Sequence, residues 1–432
     1  MKIRDWDRNL KIRLFGEGLM NVLFWMFFPF MAIYFAKSFG KESAGILLVL
    51  SQLLGVFANL IGGYCADRYG RKKMMLFSAF GQGITFILFA YANSPWLDSP
   101  VLTFICFSVL GIFGSFYWPA SHAMVADIVP EKDRNKVFAV FYTAINISVV
   151  IGPILGGIFF FQYRFGLLLF AAFASLLLTW LVSNYIRETA PEKREKSLVK
   201  DDEMKWHTFL WNQLRDYRII AKDKVFLLFI VAGVLIAQTF MQLDLLIAVY
   251  MNEMVPKQTV LSIFNWVVEA DGKTIFSWII AENGLLVALL TVAMTTWMNK
   301  YKERNVFMMS AFTYAIGILI FGTTQHVWVL FAAMFIFTMA ELMAVGIQEG
   351  FVSKLAPENM RGQYFAAASL RFTIGRTIAP LAIPLTSLIG FSWTFTVISV
   401  LSLAGALCYY LMFYLRGKQP PPASVPSIEA AK

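Results

Sequence analysis

The stretch Gly63–Lys73, GYCADRYGRKK, lies between two long apolar runs. It reads Gly-x-x-x-Asp-Arg-x-Gly-Arg-Lys-Lys: a small residue inside an apolar helix, an acid at the helix exit, then a basic turn too short to leave a membrane surface. Gly63 is expected to let a second helix approach closely. Asp67 is expected to dock against a helix N-terminus through its dipole, with Arg68, Gly70 and Arg71 completing the turn.

Outward from this turn the chain is apolar in blocks. Of 432 residues, 58% are hydrophobic and only 15% charged, whereas soluble chains are about a quarter charged. Crossing a bilayer takes about 20 apolar residues. Spans are expected near 12–36, 44–66, 74–92, 101–126, 137–161 and 165–186, then 225–251, 278–298, 306–324, 328–352, 364–389 and 392–415. Runs this long in lipid are helices, so the fold class is all-α, polytopic, with twelve transmembrane helices. Most of the 37 Lys and Arg fall on the side of the N-terminus, which predicts a multi-pass cell-membrane protein with both termini cytoplasmic. The net charge of +10 therefore points to the anionic membrane surface, not to nucleic acid. Cys65, Cys106 and Cys408 have neither paired nor metal-ligand spacing, so no disulfide or metal is expected.

Residues 1–186 and 225–415 make two six-span bundles. Residues 187–224 are a cytoplasmic linker in which Trp206, Phe209, Leu210, Leu214, Tyr217 and Ile220 have the spacing of an amphipathic surface helix. Residues 416–432 form a tail expected to be disordered, and 252–277 a long outer loop expected to fold back on the membrane. Pro130, Glu131, Arg134, Phe138, Ala139, Ile147 and Pro153 recur without a gap as Pro357, Glu358, Arg361, Phe365, Ala366, Ile374 and Pro380, an internal repeat. The opening turn has a degraded echo, Asn299–Arg304, without acid or glycine at the matching places, so only the first copy is expected to act as a switch.

The Gly63–Lys73 turn resembles the signature loop between the second and third helices of the major facilitator superfamily. The resemblance implies two pseudo-symmetric six-helix bundles with a site between them near the midplane, and an acid at Asp67 that biases the switch between inward and outward forms. Ser148-x-x-x-Gly152-Pro153-x-x-Gly156-Gly157 resembles the antiporter motif of the twelve-helix drug:proton antiporter family, although Ala139 and Ser148 stand where its fuller form has glycine. By itself this stretch predicts a proline kink and one small-residue face for close packing. The segments Ala66-Asp67-Arg68, Ala123–Asp127, Met241–Asp244 and Ala340-Glu341 resemble lactococcal multidrug exporters over nearly the whole chain. That implies proton-coupling or cation-binding roles for Asp67, Asp127, Asp244 and Glu341. A further membrane acid of those exporters falls near Phe141 here.

Ionisable residues inside spans are costly and functional by default. Asp244 and Glu341 are the first candidates for proton coupling and substrate binding, since a carboxyl moving between apolar and wet surroundings takes up a proton on one side and releases it on the other. Glu17, nearer the inner surface, is either a transport acid or a capping one. Asp127, Glu131 and Arg134 are expected to form a cytoplasmic charge network with Asp67 and Arg71. Glu282 and Glu349, near span ends, read as solvated. Arg371 and Arg376 either pair with Glu349 and Glu341 or face the cavity and favour an anion. Asn21, Asn146, Gln238 and Gln242 either line a polar cavity or join helices.

The resulting expectation is a monomeric secondary transporter, not an enzyme, that exports lipophilic, cationic drugs in exchange for protons within membrane lipid. It needs no cofactor beyond the proton gradient; no Gly-x-x-x-x-Gly-Lys-Ser/Thr phosphate loop is present. A flippase for lipid-linked glycans, using Arg371 and Arg376, and a non-transporting sensor are the alternatives.

Overall fold

The computed structural model describes residues 3–190, 223–263, 266–355 and 361–418; the side chains of residues 67, 131, 132, 135, 139, 263, 266, 349, 353, 361–363, 365 and 366 are outside the description. The expected linker helix and most of the tail also lie outside the described residues.

The first half comprises α1 (Arg8–Phe39), α2 (Lys41–Tyr69), α3 (Arg71–Tyr91), α4 (Pro100–Ile128), α5 (Glu131–Gln162) and α6 (Arg164–Tyr185). The second comprises α7 (Lys224–Phe240), α8 (Leu246–Met254), α9 (Gly272–Met298), α10 (Glu303–Phe321), α11 (Val327–Leu355), α12 (Arg361–Ile378) and α13 (Ala382–Gly417). Among the described residues, eleven stretches are long and apolar enough to cross a membrane, the last running 51 residues from Ala367 to Gly417. At 1.5 Å per residue that stretch is about 76 Å, more than two bilayer cores. It folds back at Gly390, whose φ of +79° only glycine adopts without strain. The eleven stretches thus make twelve crossings.

The seventh crossing is not one helix. It breaks at a 3-10 turn, Met241–Asp244, followed by Leu245 at φ −119°, ψ −88°, and Asp244 sits in the break. The loop expected at 252–277 is an antiparallel hairpin of β3 (Gln258–Ile263) and β4 (Trp266–Ala270). Gln258 ties the hairpin to the start of α11, accepting from Val327 N at 3.0 Å and donating to Gln325 O at 2.8 Å. A second, minimal pair, β1 (Asn93–Ser94) with β2 (Leu97–Asp98), closes the α3–α4 turn.

The halves meet toward the face opposite the N-terminus. Lys41 at the start of α2 pairs with Glu253 at the end of α8 at 2.6 Å. Phe30 of α1 lies edge-on to Phe276 of α9 at 5.9 Å, and Lys273 sits 4.2 Å over the Phe161 ring. A buried aromatic stack of Phe229, Phe307, Phe351 and Tyr409 anchors the second half; such pairs add about 0.5–1.5 kcal/mol each beyond their buried area.

Candidate functional site

At the amino face, the first four N–H groups of α3 need partners, and Gly70, its N-cap, has no side chain to offer. Gly70 adopts φ +104°, which exposes those N–H groups. Glu188, just past α6, fills the seat: its Oε1 accepts from Arg71 N at 2.9 Å, and both carboxylate oxygens accept from Lys72 N. Its neighbour Thr189 donates to Asp127 Oδ2 at 3.2 Å. Arg71 Nε pairs with the same Asp127 oxygen at 3.1 Å, and its Nη1 donates to Ala66 O at 3.0 Å. The expected charge network is therefore present around Arg71 and Asp127, with Glu188 as a member that sequence reading missed. Arg134 departs from that expectation, donating instead to the carbonyls of Val129 and Ala126 at 3.0 and 2.7 Å, where a cation suits the end of α4. Arg68 is exposed and bonds Tyr64 OH at 2.6 Å. The side chains of Asp67 and Glu131 lie outside the description.

Gly63 does not admit a helix: a Cβ there would meet nothing within 4 Å. Its neighbour Gly62 does, since a Cβ would press on Ser115 O and Phe116 Cα at 3.0 and 3.1 Å.

Two predictions arise here. Gly70→Ala is expected to destabilise the protein by about 1–3 kcal/mol, because a Cβ would be strained at this φ and would also strike the Glu188 carboxylate; thermal unfolding in detergent checks it. Burial pushes the Glu188 carboxyl up, but the N–H groups of Ala190, Thr189, Lys72 and Arg71 outweigh this and hold it below its ordinary value of 4.5. A depressed carboxyl stabilises the fold fully above the unfolded value and loses that contribution as pH falls through the folded one. The stability gap between wild type and Glu188→Gln is expected to stay constant between about pH 6 and 8 and to close in more acid solution.

Deeper in the first half, Glu17 is fully engaged. Arg13 Nε pairs with its Oε1 at 2.8 Å, and Tyr117 OH and Ser121 Oγ donate to the same oxygen at 3.0 and 2.9 Å. Arg13, 2% exposed, also bonds Ser121 and lies 4.9 Å over the Phe141 ring. This buried cluster gives Glu17 a partner that sequence reading did not supply. His122 packs between the Trp118 and Phe138 rings at 5.3 and 5.5 Å.

The antiporter-like stretch packs on two partners, not on one flat face. Gly152 and Gly156 lie against α1 at Trp25 and Met26, while Gly157 lies against Ser277 of α9 in the other half. Ser148 is buried and donates to Ala144 O at 2.9 Å. α5 runs unbroken from Glu131 to Gln162 through Pro153.

Between the halves, the Asp244 turn touches α1, and the Asp244 carboxyl lies within electrostatic reach of Arg376 and Glu341. Its Oδ1 is buried without a partner among the described residues, as is Gln242 Oε1 two residues earlier. Glu341, on α11, accepts from Asn283 Nδ2 of α9 at 3.1 Å, and the same amide donates to Thr338 Oγ1 at 3.0 Å. Asn283 was missed; its only sequence signal is that it is an amide inside a span. The charge of Glu341 also reaches Tyr142 of α5, in the first half. Glu341 lines a pocket of about 80 Å³ with Gly233, Phe240, Tyr314, Gln348, Arg371 and Phe372.

Of the two arginines, Arg376 departs from the expected partner. Arg376 lies within electrostatic reach of Asp244. Arg371 is 2% exposed, packs 4.4 Å over the Phe229 ring and donates to Ala368 O at 2.8 Å; the Glu349 side chain is outside the description. Gln242 joins two crossings, its Nε2 donating to Ala379 O at 3.2 Å and to Gln238 O at 3.0 Å, whereas Gln238 bonds within its own crossing, donating to Thr239 Oγ1 at 2.9 Å. Asn146 donates to Tyr142 O within α5 at 2.8 Å, and Asn21 is half-buried on α1. Glu282, expected to be solvated, lies inside α9 with Oε2 buried and unpartnered among the described residues.

Two six-crossing bundles with acids between them define a polytopic membrane transporter. The pattern of the Major Facilitator Superfamily matches residues 14–264 and 257–432, and the chain belongs to that superfamily. It is 54% identical, over 97% of its length and 99% of the relative's, to a Na(+), Li(+), K(+)/H(+) antiporter of Planococcus maritimus. It is 25% identical, over 88% of each chain, to the class H tetracycline resistance protein of Pasteurella multocida. The crystal structure of a POT family transporter in complex with 5-aminolevulinic acid superposes with a TM-score of 0.76 at 17% identity, covering 97% of this chain and 98% of that one.

Proposed function

We propose that this chain is a proton-coupled antiporter that exports a small monovalent metal cation, its N-terminus and amino face lying in the cytoplasm of a cell bounded by the membrane it spans. The observation that carries this is the broken seventh crossing, where Asp244 Oδ1 and Gln242 Oε1 are buried and unpartnered among the described residues. Unwound segments of discontinuous helices hold monovalent cations in transporters through such oxygens. The pocket of about 80 Å³ beside Glu341 suits an ion with a few waters, since drug-sized ligands need about 300–1,000 Å³. The relative named as an alkali-cation/proton antiporter supports the same substrate class.

With the far face sealed by Lys41–Glu253 and Phe30–Phe276, a cation from the cytoplasm meets the ionised Asp244 and Glu341. Once the halves rock, protons from outside neutralise both carboxylates and release the cation outward. The return step carries the protons in. Asn283 holds Glu341 in place, and Arg376 is the positive charge within electrostatic reach of Asp244.

Export of amphiphilic cations is a second reading, favoured by the Phe240, Tyr314 and Phe372 rings around Glu341 and by a tetracycline-resistance relative. It uses the same acids, with the rings holding an apolar body.

The test is purified protein in proteoliposomes carrying an internal acid load. Addition of Na⁺, Li⁺ or K⁺ should dissipate the pH gradient in wild type, and a lipophilic dye cation should do so more weakly. Dissipation by dye alone would replace the metal-cation reading with the drug reading, and none by either would end both.

A further inference from the structure

The turn from α9 to α10 repeats the turn from α2 to α3 with its charges exchanged. In the first half Arg71, starting the third helix, pairs with Asp127 at the end of the fourth at 3.1 Å; in the second, Glu303 starts the helix and pairs with Lys354 at 2.6 Å. The seats beside these pairs differ. In the first half an acid of the chain itself, Glu188, occupies the N–H groups of α3. In the second half the N-cap of α10 is Lys302, with no side-chain cap bond, and the residue following α13 is Lys418, whose Nζ lies 4.4 Å over the Tyr414 ring. No carboxylate fills the second seat among the described residues. Beside it opens a basin of about 560 Å³, walled by Lys302, Arg304 and Lys354, with Tyr301, Ile347 and Phe413 giving it an aromatic and apolar side. Glu303, the one acid in the lining among the described residues, pairs with Lys354, and the Lys302 ammonium has no hydrogen bond or ion pair among those residues.

We propose that this basin binds the phosphate of an anionic phospholipid from the leaflet on the amino face, Lys302, Arg304 and Lys354 holding the phosphate while Ile347 and Phe413 meet the glycerol and first methylenes. The first half supplies its own anion where the second half recruits one from the membrane. A basic pocket between helix ends on the cytoplasmic side has the chemistry such headgroups need. The apolar wall favours a lipid over free phosphate, because free phosphate gains nothing from Ile347 and Phe413. The inference does not depend on which substrate is carried.

The full chain is reconstituted in nanodiscs of equal phosphatidylglycerol and phosphatidylcholine, and the lipids kept after detergent extraction are counted by native mass spectrometry. Wild type should retain phosphatidylglycerol preferentially, and Lys302→Gln with Arg304→Gln should lower that preference ~10-fold or more. Lys300→Gln, which removes a charge of the same turn outside the basin, should leave the preference intact. Millimolar inorganic phosphate should not displace the lipid. Equal retention by the double variant, equal loss in Lys300→Gln, or displacement by phosphate would each overturn the assignment.

Discussion

Replacing Glu341 by Gln is expected to reduce cation/proton exchange at least a hundredfold while leaving the protein folded. Glutamine keeps the shape, and its carbonyl still accepts from Asn283, which lies 3.1 Å from the carboxylate it replaces. What disappears is the charge. A cation about 4 Å from a carboxylate gains about 4 kcal/mol at an effective dielectric of 20, close to three orders of magnitude in affinity. The proton-carrying step is removed as well, because an amide does not titrate. Proton flux on adding Na⁺ to acid-loaded proteoliposomes measures the loss, and exchange at the wild-type rate would show that Glu341 carries neither ion. Asp244→Asn is expected to impair the same cycle, and since Asp244 and Glu341 interact, the double variant should lose less than the sum of the single losses.

The second large effect concerns stability. Arg13→Met is expected to destabilise the first half by about 3–5 kcal/mol, the usual result of stranding one buried partner of an ion pair. The Arg13–Glu17 contact is 2.8 Å long with side chains only 2% and 9% exposed, so a stranded Glu17 has little water to turn to. Tyr117 and Ser121 still donate to it, which keeps the loss from being larger. Combining Arg13→Met with Glu17→Met should recover most of the stability, because an apolar pair of similar volume avoids the desolvation of both charges. Thermal unfolding of both variants checks this. If Arg13→Met unfolds at the wild-type temperature, the pair is not the tie between α1 and α4 that its geometry indicates.

Several side chains were legible in the sequence as members of a site without being legible as partners. Asp127 and Arg71 were expected in one network and are in one, because both sit at helix ends where few positions are available to them. Arg376 was matched to Glu341 by depth alone. Depth is only the rise along a helix, whereas a contact also needs the right rotation about its axis, and it is Asp244 that lies within electrostatic reach of Arg376. Gly63 and Gly62 show the same limit at one-residue scale: a step of one residue turns a side chain by about 100°, and it is Gly62 that meets α4. Glu188 carried no signal because its partners, the N–H groups of Arg71 and Lys72, are more than a hundred positions away.

The amino-acid sequence by itself determined the number of crossings, their approximate bounds, the doubled six-span plan and the presence of acids at depth, because lipid demands long apolar helices and tolerates charge only where it is needed. Tertiary structure alone decided which acid meets which arginine, that the seventh crossing breaks at Asp244, that Glu188 caps α3, and which end of the molecule is closed. Those depend on how each helix is rotated and tilted against its neighbours, and that is set by packing between segments distant in the chain.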